Sequence, residues 1–190
     1  MPTVKAFRGL RYNKSKVPLR DAIAPPYDII SSSEQDALYA QSEFNSVRLI
    51  LGKDLQEDSD SQNRYTRAKA FLEEWIGKKV LEAECRPCFY FYEQVFRHPE
   101  HPDRKPLVRH AIFALIRLES FSEGNVLPHE KTYSKPKADR LKLVNATECS
   151  LSPVFGLYED KAREMEKLFS ECAGEPPLLD IPETLKADHR

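Results

Sequence analysis

The sequence predicts an α+β fold, with a mixed, largely antiparallel sheet flanked by helices. Three observations carry that prediction. Residues 89–98 and 108–120 are long strand-like runs rich in aromatic and branched residues, joined by a connection rich in proline and histidine, so an antiparallel pair is the simplest arrangement. Tyr65, Ala68, Phe71, Leu72, Trp75 and Ile76 recur at helical spacing. Finally, 190 residues of which 41% are hydrophobic suffice to bury one full core, and no shift in composition divides the chain, so residues 1–190 are expected to form a single domain.

Taken in order, residues 4–12 read as a first strand. Residues 17–24 read as a short extended piece, because Pro25-Pro26 fixes φ and forbids helix there. Ser31, Ser32 and Ser33 supply capping hydroxyls ahead of Ala37, Leu38 and Tyr39, so a helix is expected to about Glu43. Val47-Arg48-Leu49-Ile50-Leu51 reads as a buried strand closed by Gly52, and 55–64 is polar enough to be a loop. The helix that follows should pack on a sheet and stop near Gly77. In the second long strand Ile112, Ala114 and Ile116 alternate with Phe113, Leu115 and Arg117. Both faces are therefore expected to be partly covered, which places the pair centrally in the sheet. Residues 138–148 have helical character, 153–158 read as a strand, and 161–173 as a surface helix with Met165, Leu168 and Phe169 inward. Leu178-Leu179-Asp180-Ile181 can begin another strand.

Composition excludes several functions. Twenty-nine basic residues oppose 30 acidic ones, for a formal net charge of −1, so no overall field draws in nucleic acid or an anionic membrane. There is no recognisable helix-turn-helix, which makes DNA binding a poor expectation. No apolar run approaches the roughly 20 residues needed to cross a bilayer, and the first residues lack the apolar segment of a secretory signal, so a cytoplasmic protein is expected. None of the six glycines falls in a P-loop or a dinucleotide fingerprint, and G-x-S-x-G and H-E-x-x-H are absent.

Four cysteines are too few for a disulfide framework. Cys85-Arg86-Pro87-Cys88 and His98-Pro99-Glu100-His101 together resemble the halves of a zinc site. However, the strand between them, at roughly 3.3 Å per residue, would hold the pairs about 25–30 Å apart, too far to share one ion. A redox C-x-x-C usually opens a helix, whereas this one leads into a strand. The cysteines are therefore read as small residues at a strand entrance.

The densest set of functional groups is Pro128-His129-Glu130-Lys131-Thr132 followed by Lys135-Pro136-Lys137-Ala138-Asp139-Arg140. Such a mixture of imidazole, carboxylate, hydroxyl and cations between two apolar runs builds a site better than a core. Further polar residues stand near the ends of expected elements: Asp28 after Tyr27, and Asn45 and Arg48 around the third strand. Plainer roles stay open for each. Thr132 or Ser134 can cap a helix, Asp28 can close a turn or cap the helix after it, Lys135 and Lys137 can be surface charges, and Arg48 can pair with a buried carboxylate. Tyr65, Phe71 and Trp75 are expected in the core.

The stretches Lys5-Ala6-Phe7-Arg8-Gly9-Leu10-Arg11-Tyr12-Asn13, Ala24-Pro25-Pro26-Tyr27-Asp28-Ile29-Ile30-Ser31, Asn45-Ser46-Val47-Arg48-Leu49-Ile50-Leu51-Gly52, Tyr92-Glu93-Gln94, Pro128-His129-Glu130-Lys131-Thr132 and Asp139-Arg140-Leu141 occur in this order over nearly the whole chain. In them the chain resembles the bacterial and archaeal domain-of-unknown-function family 1015. That family is similar to the ParB/sulfiredoxin superfamily, whose relatives include CTP-hydrolysing partition proteins, ATP-using sulfiredoxin and a free-serine kinase. The resemblance implies nucleotide-dependent phosphoryl chemistry, with ATP or ADP and Mg²⁺ as cofactors and a nucleotide and a small hydroxyl metabolite as partners. Family members usually run to about twice this length and carry downstream an Asp-Gly-His-His-Arg-Tyr phosphate-binding segment. Asp188-His189-Arg190 only echoes it, so the chain is expected to be the amino-terminal part of a longer family member.

Phosphoryl transfer to a hydroxyl needs cations against phosphate charge and a carboxylate that orients or deprotonates the nucleophile. On the resemblance, Glu130 is the first choice for that carboxylate and Asp28 the second, or a metal-coordinating partner. His129, Lys131, Thr132, Lys137 and Arg140 would contact phosphate or substrate, with Arg48 and Tyr27 as further binding residues. The expected function is thus part of a nucleotide-dependent phosphotransferase resembling free-serine kinase. The alternative is a non-catalytic module that holds a nucleotide or metabolite in the same pocket.

Overall fold

The computed structural model describes residues 2–98, 100–101, 103–128, 134–184 and 187–189. In chain order the elements are β1 (Val4–Lys5), β2 (Leu10–Tyr12), the single-turn helix α1 (Leu19–Ala22), α2 (Ser32–Gln41), a second single turn α3 (Val47–Ile50), α4 (Arg64–Gly77), β3 (Leu81–Ala83), β4 (Tyr90–Phe96), β5 (Leu107–Phe113), β6 (Leu115–Ile116), α5 (Ser134–Thr147), α6 (Glu164–Cys172), β7 (Ile181–Thr184) and β8 (Ala187–His189). The α+β class holds, and every strand pairing among the described residues is antiparallel. The strands are divided among three sheets: β1 with β6, β2 with β3, and a larger sheet in the order β5-β4-β8-β7.

The core is built around α4. Its start is set by Asn63, whose side-chain oxygen accepts from the amides of Tyr65 and Thr66 while the Thr66 hydroxyl takes the Asn63 amide. Ala68, Leu72 and Trp75, spaced by four and three residues, then face inward. Leu72 and Trp75 join Val17, Ala22, Leu49, Val80 and Leu81 in one buried cluster. Tyr12, Phe44 and Phe71 surround the Trp75 ring at centroid distances of 6.1, 5.9 and 6.3 Å. Burial pushes the Tyr12 phenol well above its ordinary pKa, and its hydroxyl donates to the Phe44 carbonyl at 2.9 Å. A smaller contact anchors α6, where Phe169 meets Phe91 edge-on at 4.8 Å and stacks on His110 at 4.6 Å.

Five sequence expectations are corrected. The run 4–12 is two strands in different sheets, because the Tyr90 hydroxyl accepts the Gly9 amide at 2.7 Å and donates to the Phe7 carbonyl at 3.2 Å, which interrupts the ladder. A Cβ at Gly9 would lie 2.8 Å from that hydroxyl, so the approach depends on glycine. Residues 19–22 and 47–50 are helical turns, where an extended piece and a strand were expected. The pair β4–β5 forms as expected, from Tyr90↔Phe113 to Phe96↔Leu107, but β5 is an edge strand with Leu107–His110 exposed. Residues 153–158 form no strand: they have no backbone partner among the described residues, and Val154 and Leu157 stand 97% and 86% exposed. By contrast α2, α4, α5 and α6 occur where helical spacing places them.

Asn45 explains why 45–50 turns inward. It is fully buried, its amide donates to the carbonyls of Asp21 (2.8 Å) and Ile23 (3.0 Å), and its side-chain oxygen accepts the Val47 amide at 3.0 Å. The Ser46 amide adds a bond to the Ala22 carbonyl at 2.7 Å. One asparagine thereby fastens α1 to α3. Asn45→Ala should leave three backbone groups unpaired and cost about 2–4 kcal/mol, read as a lower urea midpoint by circular dichroism.

Candidate functional site

The prolines that stop α1 lead into a turn in which the Ile29 amide donates to the Pro26 carbonyl at 3.1 Å. Tyr27 and Asp28 occupy its middle, Tyr27 half-buried and Asp28 exposed. Asp28 does not cap the next helix. That task falls to Ser31, whose hydroxyl accepts the Glu34 amide while Glu34 reaches back to the Ser31 amide at 2.8 Å. The turn is thereby left free to present Tyr27 to α5.

Arg140, in the second turn of α5, lies over that ring with its guanidinium carbon 3.9 Å from the centroid. Its Nε donates to Asp139 Oδ2 at 3.0 Å and its Nη2 to the Ile50 carbonyl at 2.9 Å. The remaining nitrogen, Nη1, is buried and has no hydrogen-bond partner among the described residues. Asp139 is held from its other side by α4: Oδ1 accepts from Arg64 Nη2 at 2.6 Å and from the Tyr65 hydroxyl at 2.8 Å. Arg64 also reaches Asp54 at 3.1 Å. Gly52 lets these parts meet, since a Cβ there would stand 3.1 Å from the Arg64 Cβ and 3.2 Å from its carbonyl oxygen. The turn at 26–29, the end of α3, the start of α4 and the body of α5 therefore converge on one Arg–Asp–Arg–Tyr network.

Burial acts to raise the Asp139 carboxyl pKa, but hydrogen bonds from Arg140 and Tyr65 and the charges of Arg140 and Arg64 outweigh it and hold the carboxyl below its ordinary range. The carboxylate therefore stays ionised and keeps both guanidinium groups oriented. A fixed guanidinium with an uncommitted N–H beside an aromatic face can bind an oxyanion, and phosphate or carboxylate fits that geometry.

Of the residues singled out in the sequence, Tyr27 and Arg140 are in contact, and Asp28 follows Tyr27 in the same turn. His129, Glu130, Lys131 and Thr132 lie outside the described residues, and the side chain of Lys135 does as well; Lys137 is exposed. Among the described residues Arg48 meets no carboxylate. Its Nη2 donates to the Tyr39 carbonyl at 2.8 Å, and its guanidinium packs on the rings of Tyr39 and Phe71 at 4.3 and 5.6 Å. Three members of the network were missed as site residues. Asp139 was visible only as half of an Asp-Arg pair, Arg64 as the end of the polar stretch 55–64 read as a loop, and Tyr65 was placed in the core; it is half-buried, with its hydroxyl on Asp139.

Residues 4–190 match the family described as Protein of unknown function (DUF1015). The chain belongs to the DUF1015 family. No curated protein and no solved structure matches it. Within this DUF1015 chain, no helix of the described residues is long and apolar enough to cross a membrane.

The network makes a checkable demand on stability. Because the folded carboxyl of Asp139 sits below its unfolded value, its contribution is fully present above about pH 4 and is lost as pH falls through the folded pKa. Asp139→Asn should cost about 2 kcal/mol at neutral pH. Its urea midpoint should converge on that of the unaltered protein in acid.

Proposed function

We propose that this DUF1015 chain carries part of a nucleotide-dependent phosphotransferase site, which moves a phosphoryl group from ATP or ADP, with Mg²⁺, to a small hydroxyl metabolite such as a free amino acid, in the cytoplasm. The observation that carries this reading is Arg140, a guanidinium locked by Asp139 and the Ile50 carbonyl with Nη1 lacking a partner among the described residues. An unsatisfied buried donor costs roughly 1–3 kcal/mol, and an incoming phosphate oxygen relieves that cost. Six residues before it in the sequence begins α5, preceded by Pro128-His129-Glu130-Lys131-Thr132. That segment and Ala24-Pro25-Pro26-Tyr27-Asp28 are among the stretches that resemble family 1015, and the similarity of that family to the ParB/sulfiredoxin superfamily supports the reading.

In this reading Arg140 binds phosphate, aided by His129, Lys131 and Thr132. Glu130 takes the proton of the substrate hydroxyl, and Asp28, exposed beside Tyr27, is the second carboxylate or a ligand to nucleotide-bound Mg²⁺. Tyr27 sets the plane of the guanidinium. Arg48 belongs to the packing of α2 on α3.

The test is nucleotide turnover with a panel of hydroxy amino acids. Glu130→Ala should lower turnover by about 10²–10⁴-fold with binding retained, the range for a general base. Arg140→Ala should weaken nucleotide binding by about tenfold or more, the worth of one charge-assisted hydrogen bond. Turnover undiminished in Glu130→Ala removes that residue from the mechanism, and nucleotide binding without turnover favours the regulatory module.

A further inference from the structure

The connection that leaves β4 carries His98-Pro99-Glu100-His101. The His101 amide donates to the His98 carbonyl at 3.1 Å, and the two residues form an antiparallel bridge outside the main ladder. The Arg104 amide then donates to the His101 carbonyl at 3.2 Å. The backbone thereby brings the two imidazoles together, with centroids 5.2 Å apart and planes 32° from parallel. Glu100 stands with them: one ligand atom from each of His98, Glu100 and His101 lies within 4.8 Å of the others. Among the described residues this is the one group of three or more such side chains that converges in this way.

We propose that His98, Glu100 and His101 form a binding site for a divalent transition metal of the zinc class. Two imidazoles and one carboxylate are a zinc donor set, and nitrogen donors disfavour Mg²⁺ and Ca²⁺. Ligands about 2.0–2.2 Å from a tetrahedral ion stand roughly 3.4 Å apart, so the three side chains must close slightly. Glu100 and His101 are exposed and His98 is half-buried, so small rotations achieve this without disturbing a core. Binding gives up one contact, the Glu100 amide to His98 Nδ1 at 3.2 Å, because a metal on either ring nitrogen removes Nδ1 as an acceptor. That amide lies at an exposed turn, where water replaces the bond. Arg97, whose Nη1 donates to the Arg104 carbonyl at 3.4 Å, adds positive charge nearby, so a moderate, micromolar affinity is expected. Cys85 and Cys88 stand at the opposite end of β4 and take no part. The fourth position is open to water or to a partner's side chain, and the site is independent of the phosphotransfer reading.

The experiment titrates Zn²⁺ by calorimetry, and Co²⁺ by visible absorption, into the whole chain free of any polyhistidine tag and without nucleotide. One equivalent should bind, with the visible bands of tetrahedral cobalt. His101→Asn and His98→Asn should each weaken binding by about tenfold or more, Glu100→Gln should weaken it and alter the cobalt bands, and C85S/C88S should leave it unchanged. Circular dichroism matching that of the unaltered protein shows that the variants fold. Absence of binding, binding that survives the His98→Asn/His101→Asn double variant, or binding lost in C85S/C88S would each overturn the proposal.

Discussion

The carboxylate of Asp139 gathers donors from two helices, with Arg64 and Tyr65 of α4 on one oxygen and Arg140 of α5 on the other. Through Arg140 the same group reaches the last residue of α3 and the aromatic ring of the 26–29 turn. Four segments distant in sequence are thus registered against one another by one half-buried charge. A carboxylate so placed loses hydration, and the arrangement persists because each of its oxygens is engaged by a cation. The apolar core beneath supplies the bulk of the burial. The Asp139 network fixes how α5 sits on that core.

Much of the helical architecture was legible because local signals agreed with tertiary demand. The capping serines before α2 and the apolar spacing of α4 each point to what forms. Residues 47–50 misled for a physical reason. Their burial alternates as a strand's would, with Val47 and Leu49 buried and Arg48 and Ile50 less so. Periodicity over four residues cannot separate a strand from one helical turn. What decides is Asn45, whose side chain takes the Val47 amide and holds the α1 carbonyls, a long-range arrangement invisible in a local pattern. Residues 153–158 failed in the opposite way. Their composition favours strand, but a strand exists only with a partner.

The candidate site was half legible. Arg140 and Tyr27 stood out as a cation and an aromatic in unusual motifs, yet that they meet depends on the turn after the tandem prolines and on Asp139. Arg64 carried no signal beyond closing a polar stretch read as a loop, and Tyr65 none beyond its place at the start of an amphipathic helix. A tyrosine at a core-facing position looks apolar until its hydroxyl is followed to a partner. Their contribution is supportive: they orient the carboxylate that orients the arginine.

The chain has one tryptophan, and it lies at the centre of the cluster formed by Tyr12, Phe44 and Phe71. Its indole is shielded from water, so the native chain carries a built-in optical probe whose emission is blue-shifted while this cluster is intact. The probe is also selective. It watches α4 and the elements packed on it, whereas the four-stranded sheet, anchored to α6 by Phe169, contributes no indole of its own. Comparing emission with a far-ultraviolet signal during denaturation therefore tells whether the two halves of the molecule melt as one cooperative unit or separately.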